Sequence, residues 1–156
     1  MIIAVVSDTH NITNVMKKIK TLIKDADILI HLGDNIIDLE YLSCGFNGEV
    51  YGVRGNCDYP NEGAIEQIIE VNNKKIFMTH GDKYSVKMGL STIFYKGKEL
   101  QVDIVLFGHT HQKVNIEKEG MLLLNPGSPS LPKDEAASIA FLEIGEKGIK
   151  SYYKDI

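Results

Sequence analysis

The sequence predicts an α/β fold formed by a single domain over residues 1–156. The chain has 156 residues, of which 44% are hydrophobic and 24% charged, as is ordinary for one globular domain. The first half alternates strand patterns with helical patterns, which is typical of a βαβαβ unit with a parallel sheet. The second half is rich in strand patterns. Two sheets packed face to face, with helices outside, would use all of these elements.

The first half contains three predicted strands and two predicted helices. Residues 2–6 form a continuous apolar run rich in β-branched side chains, as in a strand buried on both faces. Apolar residues then recur at helical spacing over 12–23, with lysines between them. The predicted order is strand 2–6, helix 12–23, strand 27–32, helix 37–42 and strand 49–53.

The second half begins with a predicted hairpin, because Asn72 and Asn73 separate two strand patterns and asparagine tolerates positive φ. Ser85 is predicted to cap a helix that carries Val86, Leu90, Ile93 and Phe94 on one face. A turn is predicted at Glu146-Lys147-Gly148. The predicted strands are 65–71, 74–79, 103–107, 113–117, 121–124, 137–144 and 149–153.

Composition narrows the range of partners. The formal charge is -4, from 17 basic and 21 acidic residues, which gives no electrostatic footprint for extended nucleic acid or an anionic membrane. Two cysteines, Cys44 and Cys57, do not form a disulfide framework. No signal peptide or membrane-length apolar segment is recognisable. We therefore expect a cytoplasmic protein, and a homo-oligomer, dimer or tetramer, is left open.

Five short motifs follow the ends of predicted strands and contain four of the five histidines. The motifs are Asp8-Thr9-His10, Gly33-Asp34, Gly55-Asn56-Cys57-Asp58, His80-Gly81 and Gly108-His109-Thr110-His111. Loops at the carboxyl ends of strands converge, so these residues can meet. Their carboxylate, amide and imidazole groups suit two divalent ions. We expect an extended backbone to turn Asp8 and His10 to one side, and His109 and His111 likewise.

The order of these motifs and their flanking glycines resemble the calcineurin-like metallophosphoesterases, over essentially the whole chain. The resemblance implies a four-layer αββα sandwich of two mixed β-sheets flanked by helices. It implies one metal held by Asp8, His10, Asp34 and His111. It implies a second metal held by Asn56, His80, His109 and the shared Asp34. Manganese is the expected ion of both sites, with nickel, iron, zinc or magnesium as alternatives.

The same resemblance implies hydrolysis of a small-molecule phosphodiester. We expect a water shared by two ions to attack phosphorus in line, with Asp34, Asn56 and His109 as the catalytic residues. No protein nucleophile is needed. A phosphomonoesterase or nucleotidase remains an alternative. So does a protein-binding scaffold, because the small retromer subunit resembles this chain and uses the fold in that way.

Contact with substrate is expected from Cys57, from Arg54 and from the turn that contains Asn125. Many members of the wider superfamily carry histidine where this chain has Cys57, and the Gly-Asn-Cys-Asp motif resembles a compact bacterial and archaeal phosphodiesterase branch. Cys57 is either a semi-buried filler or functional. Arg54 could bind phosphate through its guanidinium or pair with an acidic side chain. Asn125, Gly127 or Ser128 is expected to line the pocket by backbone or side chain.

Two further residues near the motifs are predicted to support the site rather than to bind metal. His31 lies within the second strand, and we favour a buried histidine, or one hydrogen-bonded to backbone, over a ligand. Asp58 is expected to orient a ligand or a neighbouring backbone group.

Overall fold

A computed structural model describes residues 1–146 and 148–156 and contains two five-stranded mixed sheets. The first sheet contains β1 (Ile2–Val6), β2 (Ile28–His31), β3 (Glu49–Gly52), β9 (Ser138–Gly145) and β10 (Gly148–Asp155). The second contains β4 (Glu66–Val71), β5 (Lys74–Thr79), β6 (Ile104–Leu106), β7 (Lys113–Lys118) and β8 (Met121–Pro126). The helices are α1 (Thr13–Ile23), α2 (Asp38–Ser43) and α3 (Ser91–Leu100).

The first sheet has the spatial order β10-β9-β1-β2-β3. The pairs β1–β2 and β2–β3 are parallel, so the predicted βαβαβ unit is confirmed. The continuous apolar runs of β1 and β2 fit this position, because helices cover one face of the sheet and the second sheet covers the other.

The second sheet has the order β4-β5-β6-β8-β7, and its parallel pairs are β5–β6 and β6–β8. The predicted hairpin joins β4 and β5. Asn72 and Asn73 have φ values of 50° and 60°, which is the left-handed pair that a tight hairpin turn requires. Asparagine therefore sets this turn as the sequence indicated.

The four layers follow from where apolar side chains are buried. Val5 and Ile76 represent the central core between the sheets. Ile19 of α1 packs on the outer face of the first sheet, whereas Ile93 of α3 packs on the outer face of the second. This is the expected αββα sandwich in a single domain, and the loops at the strand ends are left open for a site.

The helix predicted to start at Ser85 starts later. Ser85 has a φ of 51° and ends a 3₁₀ helix at Asp82–Tyr84, so the prediction that it caps α3 was wrong. Gly89 follows with a φ of 143°, which no right-handed helix accommodates. Val86 lies in the loop before α3 and is buried there. The helix itself begins only at Ser91, the first residue of α3.

Two remaining points concern the ends of elements. The predicted turn at 146–148 includes Lys147, which lies outside the described residues, although β9 and β10 pair as predicted on either side of it. Within the described residues, each helix is too short or too polar to cross a membrane.

Candidate metal centre

The predicted ligands lie where strands of both sheets end. Asp8, Asp34 and Asn56 follow β1, β2 and β3, and His80 and His109 follow β5 and β6. Asp8 and His80 are completely buried, and Asp34 is 3% exposed. Residues up to about a hundred positions apart are thus brought to one edge of the sandwich, as expected for ligand sites in α/β sheets.

The side chains form two groups that share one carboxylate, and within each group the candidate ligand atoms lie within 4.8 Å of one another. The first group is Asp8, His10, Asp34 and His111. The second group is Asp34, His80 and His109. This grouping is the one that the resemblance implied. Asn56 follows β3 and is exposed, and its place in the second group stays a prediction.

Two of the histidines are oriented with one ring nitrogen facing the carboxylates. His80 Nδ1 donates to the carbonyl oxygen of Leu32 at 2.8 Å, and His111 Nδ1 donates to that of Leu131 at 2.7 Å. Their Nε2 atoms face the carboxylates, at 3.4 Å from Asp34 Oδ1 and 3.1 Å from Asp8 Oδ1 respectively. A backbone carbonyl on one ring nitrogen fixes the tautomer and leaves the other available to a metal.

The polar atoms of the first group fit a cation. Asp8 Oδ1 and His10 Nε2 are buried and have no hydrogen-bond partner among the described residues. Such atoms cost free energy unless a partner satisfies them. A divalent ion between them would provide that partner, so the donor set fits the implied metal.

The electrostatics favour the metal-binding forms of Asp8 and His109, but not that of His111. Burial raises the pKa of Asp8, but the nearby His111 ring, the charge of His80 and the hydrogen bond from Ser7 outweigh burial and lower it overall. Burial and the charge of His80 lower the pKa of His109, which favours a neutral imidazole. The Asp8 carboxylate beside Nε2 raises the pKa of His111, so a metal bound there would have to displace a proton from this ring at lower pH. An ionised carboxylate and neutral imidazoles are the forms that bind metals.

The backbone at the ligands differs from the prediction. Asp8 and His10 have φ values of 56° and 49°, and His109 and His111 have 67° and 59°, so neither pair is on extended backbone. The two pairs do repeat one geometry, as predicted, but it is left-handed at both ligands of each pair. Asp34 is left-handed too, with a φ of 57°.

The predicted substrate contacts have different outcomes. Asn125 is completely buried, and its amide nitrogen donates to the Gly108 carbonyl and to Thr110 Oγ1, so its side chain supports these loops. Its side-chain oxygen accepts the N–H of Gly127, so both polar atoms of the side chain are bonded within the fold. Ser128 is also completely buried and donates to the Asp8 carbonyl. Both residues support the ligand loops. That Asn125, Gly127 or Ser128 lines the pocket by its backbone stays a prediction.

Arg54 and Cys57 lie on the loop after β3. Arg54 forms no ion pair with any described residue, and its buried Nε has no hydrogen-bond partner there. The predicted structural pair is therefore absent, and phosphate binding remains the alternative. Cys57 is exposed, and burial of its thiol, with a hydrogen bond to Asp34, raises the pKa to about 11. The Cys57 thiol thus stays protonated near neutral pH.

Comparison with known proteins identifies the family. The model of the calcineurin-like phosphoesterase superfamily domain matches residues 1–147. The Probable metallophosphoesterase MJ0623 of Methanocaldococcus jannaschii is 36% identical over 94% of this chain and 78% of its own length. This chain belongs to the calcineurin-like phosphoesterases.

Two other relatives bear on the interpretation of this calcineurin-like phosphoesterase. The Phosphodiesterase MJ0936 of Methanocaldococcus jannaschii is 30% identical over 81% of this chain and 83% of its own length. A structure of Vps29 with zinc from Entamoeba histolytica shares the fold, with a TM-score of 0.79 and 21% identity over 99% of both chains. At that identity the second likeness concerns the fold alone.

Asp58 joins the two loops that carry Asp34 and Asn56 in this phosphoesterase. Its Oδ2 accepts the backbone N–H groups of Asp34 at 2.9 Å and Gly55 at 2.7 Å. Its Oδ1 accepts those of Asn35 at 2.7 Å and Ile36 at 3.0 Å. The expectation that Asp58 orients backbone near the ligands is therefore confirmed. Sequence reasoning found the residue because it sits in the Gly-Asn-Cys-Asp motif, but not its four donors.

Gly55 and Gly108 lie beside the ligands of this phosphoesterase and let the loops that carry the ligands pack closely. A Cβ at Gly55 would lie 2.3 Å from Asp34 Oδ1, and one at Gly108 would lie 1.9 Å from Ser7 Oγ. Contacts this short are not possible, so a side chain at Gly55 would displace Asp34, and one at Gly108 would displace the Ser7 side chain beside Asp8.

His31 is a buried support, as favoured from the sequence. The side chain is completely buried, and Nδ1 accepts the N–H of Gly33 at 3.1 Å. Burial lowers the pKa of His31 to about 4, although the charges of Asp38, Asp8 and Asp58 oppose this shift. The histidine therefore stays neutral in the folded phosphoesterase at neutral pH.

The His31 pKa predicts a loss of stability in mild acid. In the unfolded chain His31 takes up its proton near pH 6.5, whereas the folded form resists it down to about pH 4, so its contribution is present above about pH 6.5 and is lost on acidification. Between about pH 7.5 and pH 5 the loss should be about 2 kcal/mol. Denaturant unfolding of metal-free His31→Asn, compared with wild type at both pH values, should show a weaker pH dependence. Equal pH dependence in the two proteins would contradict the assignment.

Proposed function

We propose that this chain is a dimetal-dependent phosphodiesterase. The observation that carries the proposal is the pair of histidine–carboxylate groups that share the buried Asp34. Two divalent ions held there would activate water and offset the charge that develops on a phosphate ester. Manganese is the proposed ion, and Asn56 is proposed as the remaining ligand of the second.

The side chains of this site would hold and orient the ions, and none of them is needed as a nucleophile. Asp34 would hold both ions, while the carbonyls of Leu32 and Leu131 keep the His80 and His111 rings in place. No serine or cysteine nucleophile is required, and Cys57 is ill suited to be one because its thiol remains protonated. Attack would come from water at the open edge of the sandwich.

The proposed preference for diesters rests on the charge of the substrate and on the similarity of this chain to a phosphodiesterase. A monoester dianion calls for more cationic contacts than a diester, and Arg54 is the only arginine of the chain. Its guanidinium forms no ion pair with any described residue, which leaves its charge available for one phosphate oxygen. The 30% identical MJ0936 is named a phosphodiesterase, which favours the same substrate class here. The proposed substrate is a small-molecule diester.

The decisive experiment compares two chromogenic substrates with and without metal. Chelator-treated protein should be inactive, and added Mn²⁺ should restore cleavage of a bis-aryl phosphodiester more efficiently than that of an aryl phosphomonoester. His109→Ala should abolish both, whereas Asp25→Asn, on the surface after α1, should change neither. A higher kcat/KM for the monoester would favour a phosphomonoesterase. Metal-bound but inactive protein would favour a scaffold.

Cys57 predicts how the rate depends on the leaving group. A thiol with a pKa of about 11 cannot donate a proton efficiently near neutral pH, so alkoxide leaving groups should react slowly. Cys57→His should raise their turnover by about 10-fold or more, since general acids contribute at least that much. The readout is the slope of log kcat against leaving-group pKa, which should become shallower. Cys57→Ala is the control, and an unchanged slope in the histidine variant would defeat this prediction.

A further inference from the structure

The segment from Asp8 to Asn11 contains backbone that is not stable by itself. Asp8, His10 and Asn11 have φ values of 56°, 49° and 56°. Left-handed conformations of residues other than glycine cost about 1 kcal/mol or more each and persist only when their surroundings fix them. Asp8 and His10 are both ligands of the first group, so the contacts that fix this segment also fix half of that group.

The hydroxyl of Thr9, which lies between the two ligands, is held on both sides. Gly33 donates its N–H to His31 Nδ1, so the proton of the neutral imidazole is on Nε2. That Nε2–H donates to Thr9 Oγ1 at 3.0 Å, and Thr9 Oγ1 donates its own proton to Asp38 Oδ2 at 2.6 Å. All three side chains are buried, so none of these bonds is readily replaced by water.

The backbone of the same segment is bonded to this network and to a second loop. Asp38 Oδ2 also accepts the N–H of Asn11 at 2.8 Å. Ser130 donates its hydroxyl to the carbonyl oxygen of Thr9. We call Thr9, His31, Asp38 and Ser130 the Thr9 brace. Its side chains bond to the Asp8–Asn11 segment and to one another, and His31 also accepts the N–H of Gly33.

We infer that the Thr9 brace sets the affinity of the metal held by the first group, and that it does so without touching that metal. This inference rests on the proposed dimetal site. The Thr9 hydroxyl lies in the segment that carries Asp8 and His10, and both ligands belong to the first group alone. The brace also reaches the loop of the shared Asp34 through His31 Nδ1 and the Gly33 N–H, but that bond does not involve the Thr9 hydroxyl. Loss of the Thr9 hydroxyl should therefore lower the affinity for the ion of the first group and leave the affinity for the other ion unchanged.

Thr110 provides the internal comparison. It occupies the same place between His109 and His111, but its hydroxyl bonds to Asn125 and Gln112 and is independent of the Thr9 brace. His111 belongs to the first group and His109 to the second. Thr110→Val should therefore lower the affinity for both ions, whereas Thr9→Val should lower the affinity for one.

The test is a calorimetric titration of Mn²⁺ into chelator-treated protein. Wild type should bind two ions. Thr9→Val should keep one at wild-type affinity and bind the other about 10- to 100-fold more weakly, the usual effect of losing a group that orients a ligand. Thr9→Ser, which restores the hydroxyl, should recover most of the loss. Thr79→Val is the matched control, because Thr79 is buried beside His80 and its hydroxyl has no partner among the described residues.

The possible outcomes separate the two proposals. Wild type that binds fewer than two ions would overturn the dimetal proposal. If wild type binds two ions and Thr9→Val either leaves both affinities unchanged or lowers both equally, the inference about the Thr9 brace is overturned. If Thr9→Val does not fold, Ser130→Ala decides, because it removes one partly buried hydrogen bond. The affinity for the ion of the first group should then fall several-fold, and an unchanged affinity would overturn the inference.

Discussion

Replacing Asp34 with asparagine should lower diester turnover by more than about 100-fold, because loss of a group that merely orients a ligand already costs about 10- to 100-fold. Among the residues that the structure describes, Asp34 is the only side chain common to both candidate groups. An amide has one oxygen and no charge, so it cannot bridge two cations or offset their repulsion. The variant should also retain fewer ions after desalting, measured by elemental analysis.

The fold should survive this substitution. Asp34 Oδ1 accepts the N–H of Cys57 at 3.0 Å, and the asparagine carbonyl oxygen can accept the same bond. The Asp34 backbone N–H is bonded to Asp58 and is unaffected by the change. The metal-free variant should therefore unfold at nearly the same denaturant concentration as metal-free wild type. Near wild-type turnover with both ions retained would show that Asp34 is not the shared ligand.

The sequence was sufficient to predict which residues meet, and the reason is topological. Each motif follows a strand, and parallel strands bring their carboxyl ends to one edge. The four strand ends that carry Asp8, Asp34, His80 and His109 were each recognisable from apolar runs. The division of the ligands between two groups came from the family resemblance, and the geometry agrees with it.

The backbone conformation of the ligands could not be predicted in the same way. Alternation of Asp8 and His10 around Thr9 is compatible with an extended strand, and nothing local excludes it. The left-handed form depends on partners distant in the chain, since Ser130 and Ser128 reach the Thr9 and Asp8 carbonyls from about 120 residues away. Tertiary hydrogen bonds of this range leave no periodic signal.

The role of Asn125 was missed for a related reason. A polar residue in an Asn-Pro-Gly-Ser turn beside a site invites a functional interpretation, because turns are usually exposed. Here β8 carries Asn125 into the interior, where its amide supports Gly108 and Thr110. Burial of a strand end next to a second sheet is a property of the assembled sandwich, and only the structure shows it.

Asp58→Ala should destabilise the metal-free protein by about 3 kcal/mol or more, since bonds to a charged acceptor contribute about 1.5–3 kcal/mol each and water replaces only some of them. The carboxylate accepts four backbone N–H groups, from Asp34, Asn35, Ile36 and Gly55. These donors lie on two loops, so the loss also uncouples Asp34 from the loop of Asn56. Denaturant unfolding measures the first effect, and Mn²⁺ titration should show weaker binding.

Asp58→Asn tests whether the carboxylate is needed as a whole. Each oxygen of Asp58 accepts two N–H groups, so an amide can satisfy one pair but must point its NH₂ at the other pair of donors. Its destabilisation should be at least half that of Asp58→Ala, whereas Asp25→Ala on the surface should have little effect. An asparagine variant as stable as wild type would mean that water or a rearranged loop satisfies the donors. The coupling of the Asp34 and Asn56 loops would then have to come from the metals themselves.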